Sequence, residues 1–484
     1  MKRFILSLAL IFSCLWSARG GAGHTLTQPP WLAAAAQGGP AILQLALPSP
    51  YAWPESTPEA QGMDEAVLSQ AFEQASKLGY MHSVLVIKNG FLIGESYYNQ
   101  KDRYFAGPIC STAKSYISAL IGIALANHDL SSLNQKMMDF FPEYARPGLD
   151  PRKYDITIGQ LLTMRSGLPQ EETGTLMDDW FQSEDMMRFA VECPLASEPG
   201  QQYHYSTLGT HILSGILTKA TGMTTLDYAQ KYLFAQLKIT IAGWDQDPKG
   251  YYTGGWGMYF TPRDMARLGY LNLLKGTVEG VRILDPGWIR ESHQKYSTDV
   301  VWYQKHFTDW GYGYLWWLAR AGGYDIQMAL GYGGQTIVNV PDLNMIIVTT
   351  ADWDIPANQS GVQINAVFDL IHNYLLAPLK CLSGPPPYFP SALTAQKINN
   401  SGLAYREYIN LIRWQPNPRN AGVNISKYRI YRVSDESHLL LAEVNAGTLE
   451  YWQRNIDRHL NYVYAVSAVT EDGLESTPAY VSVR

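Results

Sequence analysis

Cysteine, histidine, excess charge of one sign and long apolar runs are all scarce in this chain. Each scarcity excludes a class of function. The 484 residues carry 37 basic and 43 acidic side chains, a formal net charge of −6, so no basic field exists to draw nucleic acid. Four cysteines, Cys14, Cys110, Cys193 and Cys381, are too few for a disulfide framework. Removal or lipidation of Cys14 leaves three thiols, so at least one is unpaired within the chain; a Cys110–Cys193 bridge stays open. The ten histidines are scattered and no His-Glu-x-x-His occurs, so neither a metal site nor a cofactor is expected. No Gly-x-Ser-x-Gly elbow occurs, which argues against an α/β-hydrolase. Past the N-terminus, no stretch is long and apolar enough for a transmembrane helix.

What is present is a large, core-forming chain. Hydrophobic residues make up 46% and charged residues 17%, and the length suits two or three domains. The first 22 residues read as an export signal: Lys2 and Arg3 form the positive end, Phe4 to Trp16 the apolar stretch, and Ala18, Gly20 and Ala22 offer cleavage points. Ile11-Phe12-Ser13-Cys14 is similar to a lipobox, which gives lipid anchoring at Cys14 as the alternative. The expected location is periplasmic or extracellular. Residues 23–54 form a Gly-, Ala- and Pro-rich leader.

Residues 55–380 read as one α+β domain. His82–Ile87 and Phe91–Tyr98 flank Asn89-Gly90, the favoured two-residue hairpin turn. Helices are expected near Ser111, over 156–164, 208–221 (stopped by Gly222), 263–274 and 362–376. Strands are expected over 336–340 and 345–350. Strands from both ends of the domain would join one sheet, with helices packed on it and in a separate all-helical cluster. Pro385, Pro386, Pro387 and Pro390 mark a stiff linker over 381–390. Residues 391–484 look all-β, with strands over 409–414, 428–433 and 462–469 and a turn at Asp472-Gly473.

One motif carries chemistry. Ser111-Thr112-Ala113-Lys114 sets a hydroxyl and an amine three residues apart, ahead of the apolar Ile117, Leu120, Ile121, Ile123, Ala124 and Leu125. On a helix such residues share a face, with β-carbons about 5–6 Å apart. A lysine there can help deprotonate a serine, which is a weak nucleophile until a base activates it. A second copy, Ser292-His293-Gln294-Lys295, lies in a polar stretch and reads as a solvated helix end or loop. Cys110 reads as a small buried hydrophobe rather than a nucleophile. His204 reads as structural. Asp178, Asp179 and Trp180 read as a solvated loop, or else a cleft edge for a cationic substrate end.

A Ser-Lys pair needs a proton shuttle and an oxyanion hole. Downstream lie Pro199-Gly200-Gln201-Gln202-Tyr203-His204-Tyr205-Ser206-Thr207 and Gly331-Tyr332-Gly333-Gly334-Gln335. With Ser111-x-x-Lys114, these come in the order and rough separation of the penicillin-recognising serine hydrolases. The chain resembles the class C β-lactamase-like branch, which also holds DD-peptidases, esterases and 6-aminohexanoate-dimer hydrolases. Residues 157–168, 261–266 and 313–317 support the resemblance. It implies an antiparallel sheet flanked by helices plus an all-helical subdomain. It also implies that Ser111 is acylated, that Lys114 and Tyr205 move the proton, and that the backbone N–H groups of Ser111 and Gln335 form the oxyanion hole. Tyr332, Gly333, Gly334 and Thr207 would line the substrate, and the glycine pair would let the strand backbone approach it. Taken alone, Tyr205 reads as a core tyrosine; within the ordered set it reads as catalytic.

Two departures bear on the substrate. Thr207 stands where Tyr-x-Asn has asparagine, and Tyr332-Gly333-Gly334 stands where β-lactamases carry Lys-Thr-Gly. Both turn the expectation towards an esterase or small-amide hydrolase. A DD-peptidase or β-lactamase, and a non-catalytic binding protein, are the alternatives. The region 391–484 resembles a fibronectin type III domain, an immunoglobulin-like sandwich, through Trp414, Tyr428–Arg432, Tyr462–Val466 and Glu475-Ser476. Such a module would serve as a spacer or contact glycan, protein or cell wall.

Overall fold

The computed structural model describes residues 51–172, 174–300, 305–379, 387–401, 406–433, 438–471 and 475–483. The expected signal peptide with Cys14, most of the leader, Cys381, the first two prolines of the linker and the Asp472-Gly473 turn lie outside the described residues.

A seven-stranded antiparallel sheet organises the first domain. Its strands are β1 (Met81–Lys88), β2 (Phe91–Tyr97), β3 (Phe307–Tyr312), β4 (Trp317–Ala321), β5 (Tyr324–Gly331), β6 (Gln335–Val340) and β7 (Met345–Ala351), in the order β2-β1-β7-β6-β5-β4-β3. The two ends of the domain therefore meet at β1–β7, where Val86 pairs with Ile347 and Leu85 with Val348. The helices that position the site are α1 (Glu65–Lys77), α2 (Ala113–Ala126), α3 (Ile158–Leu162), α4 (Leu176–Phe181), α5 (Met186–Glu192), α6 (Thr207–Thr221), α7 (Pro262–Leu273), α8 (Pro286–Ser292) and α9 (Ala357–Leu370).

Helices cover both faces of the sheet. Gly269 of α7 lies so close to β6 and β7 that a Cβ there would fall 2.9 Å from Ile337 and Ile346. Gly94 of β2 meets Leu68 and Phe72 of α1 in the same way. Gly94 pairs with Val86 and Val86 with Ile347, one residue out of phase with Ile346 and Ile337, so α1 and α7 lie on opposite faces. This is why β1 and β6 are buried along their whole length rather than alternately. The α2 helix is buried almost all round, as its sequence demands.

Local signals explain the shorter elements. Thr157 and Gln160 form a reciprocal capping box at α3. The Thr261 hydroxyl caps α7, with Pro262 at its first position. Gly222 ends α6 in the left-handed region, at φ 67°. The expected strand edges at Asn89-Gly90 hold, and α9 begins earlier than the 362–376 expectation. Strands β3 to β5 are additions that the sequence reading did not contain.

The last hundred residues form two antiparallel sheets. One joins β8 (Ser391–Ser401), β9 (Arg406–Gln415) and β12 (Glu450–Gln453). The other has the order β11-β10-β13-β14, from β10 (Ile425–Val433), β11 (His438–Asn445), β13 (Tyr462–Thr470) and β14 (Ala479–Val483). Ile412, Trp414, Tyr428, Ile430, Tyr464 and Val466 fill a shared core. These sheets also pack on the first domain: Tyr431 lies 5.6 Å from Phe91 between ring centroids, and the buried Glu475 accepts the Gln61 amide at 3.0 Å.

Candidate active site

The chain reaches the site through Ile109 and Cys110. Cys110 holds φ at +49°, a left-handed conformation that costs a non-glycine residue roughly 1–2 kcal/mol. The strain turns the chain sharply into a one-turn 3-10 segment, Cys110–Thr112, which runs directly into α2. Ser111 thus sits on that turn and Lys114 in the first turn of the α-helix. The turn is fastened to the sheet by the Thr112 hydroxyl, which donates to the Gln335 carbonyl at 2.9 Å. Gly331 closes the contact from β5: a Cβ there would fall 2.5 Å from the Ile109 carbonyl and 3.0 Å from the Thr112 hydroxyl. Ser115 ties α2 to the 313–317 segment through the Leu315 carbonyl, at 2.7 Å.

Lys114 is 1% exposed, and its Nζ donates to Ser111 Oγ at 2.9 Å and to the Gly255 carbonyl at 3.1 Å. Burial pulls its pKa from the usual 10.5 down to about 8; the nearby Glu172 and Glu171 carboxylates oppose that shift. A neutral amine is therefore accessible just above neutral pH. Tyr205 completes the group. Its ring lies 4.9 Å from Lys114 Nζ, and the nearby Ser111 hydroxyl favours its ionised form. Trp317 stacks on that ring at 5.4 Å and Tyr312 meets it edge-on at 6.1 Å. Burial, reinforced by surrounding tyrosine and carboxylate oxygens, raises the Tyr205 pKa far above its ordinary value, so the phenol stays protonated at rest.

Ser111, Lys114 and Tyr205 are thus brought together. The remaining expected residues sit differently. Thr207 is buried at the start of α6, and the Lys114 contact that asparagine would make in a Tyr-x-Asn motif is made here by the Gly255 carbonyl. Gly255 must be glycine: a Cβ would lie 2.5 Å from Thr207 Cγ2, 2.6 Å from Thr210 Oγ1 and 3.0 Å from Lys114 Nζ. The Tyr332 hydroxyl donates to the Ile355 carbonyl at 2.8 Å. Gly333 and Gly334 have φ of +74° and +98°. They lie against the Asp352 carbonyl and Val367, where backbone conformation and packing already call for glycine. The Gln335 carboxamide is clipped to both backbone groups of Ala351.

Of the other readings, Cys110 is the buried thiol expected, whereas the cleft edge and the solvated second motif are corrected. Cys110 and Cys193 are both free and buried, so no bridge joins them. Burial raises the Cys110 thiol to about 12, which leaves it un-ionised. Trp180 is fully buried, its indole N–H on the Met186 carbonyl, and forms no cleft edge. Ser292 ends α8 as expected, yet it is buried, and Lys295 turns away to Asp309. Three groups went unread in the sequence: Gly255, Glu171 and Glu172. Gly254-Gly255 is a visible glycine pair, and the two acids follow Leu168 closely, but neither pattern names a role. Glu172 is half-buried and its charge acts on Lys114, Tyr203, Tyr205 and Tyr332; burial and Glu171 raise its pKa to about 7. Among the described residues, no group of three or more His, Cys, Asp or Glu side chains is arranged to hold a metal ion, and no helix is long and apolar enough to cross a membrane.

Comparison with known proteins agrees with this fold. The 6-aminohexanoate-dimer hydrolase of Paenarthrobacter ureafaciens is 25% identical over 180 residues, covering 35% of this chain and 44% of that protein. Protein flp of Staphylococcus aureus (strain MRSA252) is 24% identical over 175 residues, 34% of this chain and 35% of that protein. The chain thus spans less than half the length of these curated relatives. Among solved structures, EstCE1, a hydrolase with promiscuous acyltransferase activity, superposes with a TM-score of 0.51 at 17% identity, over 63% of this chain and 98% of its own. The octameric penicillin-binding protein homologue from Pyrococcus abyssi gives 0.50 at 15% identity, over 84% and 96%. The family model described as Beta-lactamase matches residues 82–366, more than half of the chain and all of the Ser111, Lys114 and Tyr205 region, and the protein belongs to the beta-lactamase family.

Proposed function

We propose that this protein is an exported serine hydrolase that forms an acyl-enzyme at Ser111 and cleaves ester or small amide bonds. The observation that carries the reading is the buried Lys114 amine, 2.9 Å from Ser111 Oγ, with a pKa lowered by burial. In its neutral form Lys114 takes the serine proton as Oγ attacks the carbonyl. The backbone N–H groups of Ser111 and Gln335 hold the developing oxyanion; losing one such donor typically costs about 2.7–4 kcal/mol. Tyr205, whose ring lies 4.9 Å from Lys114 Nζ, relays the proton to the leaving group. Water then releases the acyl group.

Thr207 and Tyr332 favour this reading over a β-lactamase or DD-peptidase, because the asparagine and the lysine that would grip such substrates are replaced. Glu172, whose charge acts on Lys114 and Tyr205, suits a substrate without a carboxylate of its own. The names of the relatives, a 6-aminohexanoate-dimer hydrolase and a hydrolase with promiscuous acyltransferase activity, are in keeping with acyl transfer from small amides and esters. We assign residues 391–484 to a fibronectin type III-like module that spaces the enzyme or contacts glycan, protein or cell wall. Incubation with a chromogenic short-chain ester and, separately, a fluorescent penicillin tests the reading, with Ser111→Ala alongside. Ester turnover lost in Ser111→Ala supports it. Stable penicillin labelling without ester turnover transfers the protein to the penicillin-binding reading. Silence across a wider ester and amide panel favours a binding protein.

A further inference from the structure

Glu171 is fully buried, yet it is not part of the Ser-Lys-Tyr group. Its carboxylate accepts the Thr207 backbone N–H at 2.6 Å and the Ser206 hydroxyl at 3.1 Å. These are the two residues directly after Tyr205, at the mouth of α6. Ser206 occupies the N-cap position of that helix but makes no side-chain cap bond to it. A carboxylate from a loop 36 residues earlier in the chain therefore satisfies the N–H that a cap would normally serve. The positive end of the helix favours an anion at this point. Thr207, which Glu171 holds, and Lys114 both flank Gly255, 2.5 and 3.0 Å from where a Cβ would stand, and the Glu171 charge favours the Lys114 ammonium; burial raises the pKa of Glu171 itself, and its bonds from Thr207 oppose that rise. The other groups facing Lys114 are Glu172, Cys110, Ser111 and the Tyr205 ring.

We propose that Glu171 is a positioning residue: it fixes Tyr205 against Ser111 through the first turn of α6 and places a negative charge beside Lys114. The inference rests on the reading of Ser111, Lys114 and Tyr205 as the reacting groups. It goes beyond that reading by adding a residue that touches neither substrate nor nucleophile. A carboxylate that only held the helix would leave the proton chemistry alone; one beside Lys114 also sets the pH at which the amine is neutral.

The test uses the full chain and four proteins: wild type, Glu171→Gln, Glu171→Ala and Ser111→Ala. Turnover of p-nitrophenyl butyrate is followed from pH 5.5 to 9.5, the rate of Ser111 labelling by a fluorophosphonate probe is measured in parallel, and thermal unfolding reports the fold. Glu171→Gln keeps an oxygen for the Thr207 N–H and loses the charge. Its plateau kcat should stay within about ten-fold of wild type, while the acidic limb of kcat/KM moves to lower pH, because the ammonium has lost a neighbouring anion. Glu171→Ala loses both functions, and kcat should fall about 10²-fold with KM changed much less. An unmoved limb in Glu171→Gln overturns the proposal, as does wild-type kcat in Glu171→Ala. If Glu171→Ala fails to fold, the limb of Glu171→Gln decides. Turnover and labelling that survive Ser111→Ala, or a wild type silent in both, remove the underlying reading and the inference with it. A dead Ser111→Ala beside an unmoved limb removes the inference alone.

Discussion

Replacing Lys114 with methionine should stabilise the protein in a pH-dependent way while abolishing its chemistry. The native amine releases its proton near 8, whereas the unfolded chain holds it to 10.5. At about 1.4 kcal/mol per pH unit, a protonated Lys114 costs the native state about 3 kcal/mol. That cost is fully present below pH 8. It fades as pH rises, because the native state has then given up its proton while the unfolded state still binds one. Methionine has a similar length and no charge. Its substitution forfeits the bonds to Ser111 Oγ and the Gly255 carbonyl, but those losses hardly vary with pH. Comparing two pH values therefore reports the ionisation of Lys114 together with that of Glu172, whose charge is linked to it and whose response to losing Lys114 acts in the same direction. By urea denaturation, the stability of Lys114→Met relative to wild type should fall by about 2 kcal/mol between pH 7.5 and pH 10. Esterase kcat should drop at least about 10²-fold at every pH. A stability difference that stays constant across the interval would show that burial does not depress Lys114, and the base mechanism would lose its physical ground.

Other substitutions address the neighbouring groups. Tyr205→Phe keeps the stacking on Trp317 and removes the hydroxyl, so kcat should fall about 10²–10⁴-fold with little change in melting temperature. Gly255→Ala forces a methyl to within 2.6 Å of Thr210 Oγ1 and 3.0 Å of Lys114 Nζ. It should cost about 1–3 kcal/mol by denaturant unfolding and depress kcat as well, because the acceptor for Lys114 is displaced. Glu172→Gln removes an anion that favours the ammonium form, so the acidic limb of the kcat/KM profile should shift to lower pH.

The parts of the site built from side chains at helical spacing could be read in the sequence. Ser111 and Lys114 announce themselves by position, and the apolar run behind them demands a buried helix. Gly255 could not be read, because its contribution is a backbone carbonyl and no residue type advertises one. Glu171 was hidden for a related reason: a loop acid caps a helix that begins 36 residues later, and only the fold brings them together. Gly333 and Gly334 were visible, but residue type alone does not separate a positive φ against Asp352 and Val367 from a close approach to a ligand, since both call for glycine. Strands β3 to β5 escaped because their aromatic-rich segments are broken by glycines and by left-handed residues at Asp309 and Leu315. β8 escaped because Ser391–Ser401 is largely polar and lies at a sheet edge.

The covalent intermediate tests the central claim most directly. The protein would be mixed with a p-nitrophenyl ester, quenched in acid during turnover, and analysed by intact mass and peptide mapping. The account predicts one added acyl group per chain, located on the peptide that contains Ser111 and absent from Ser111→Ala. An adduct on another residue, or turnover that persists in Ser111→Ala, would contradict it.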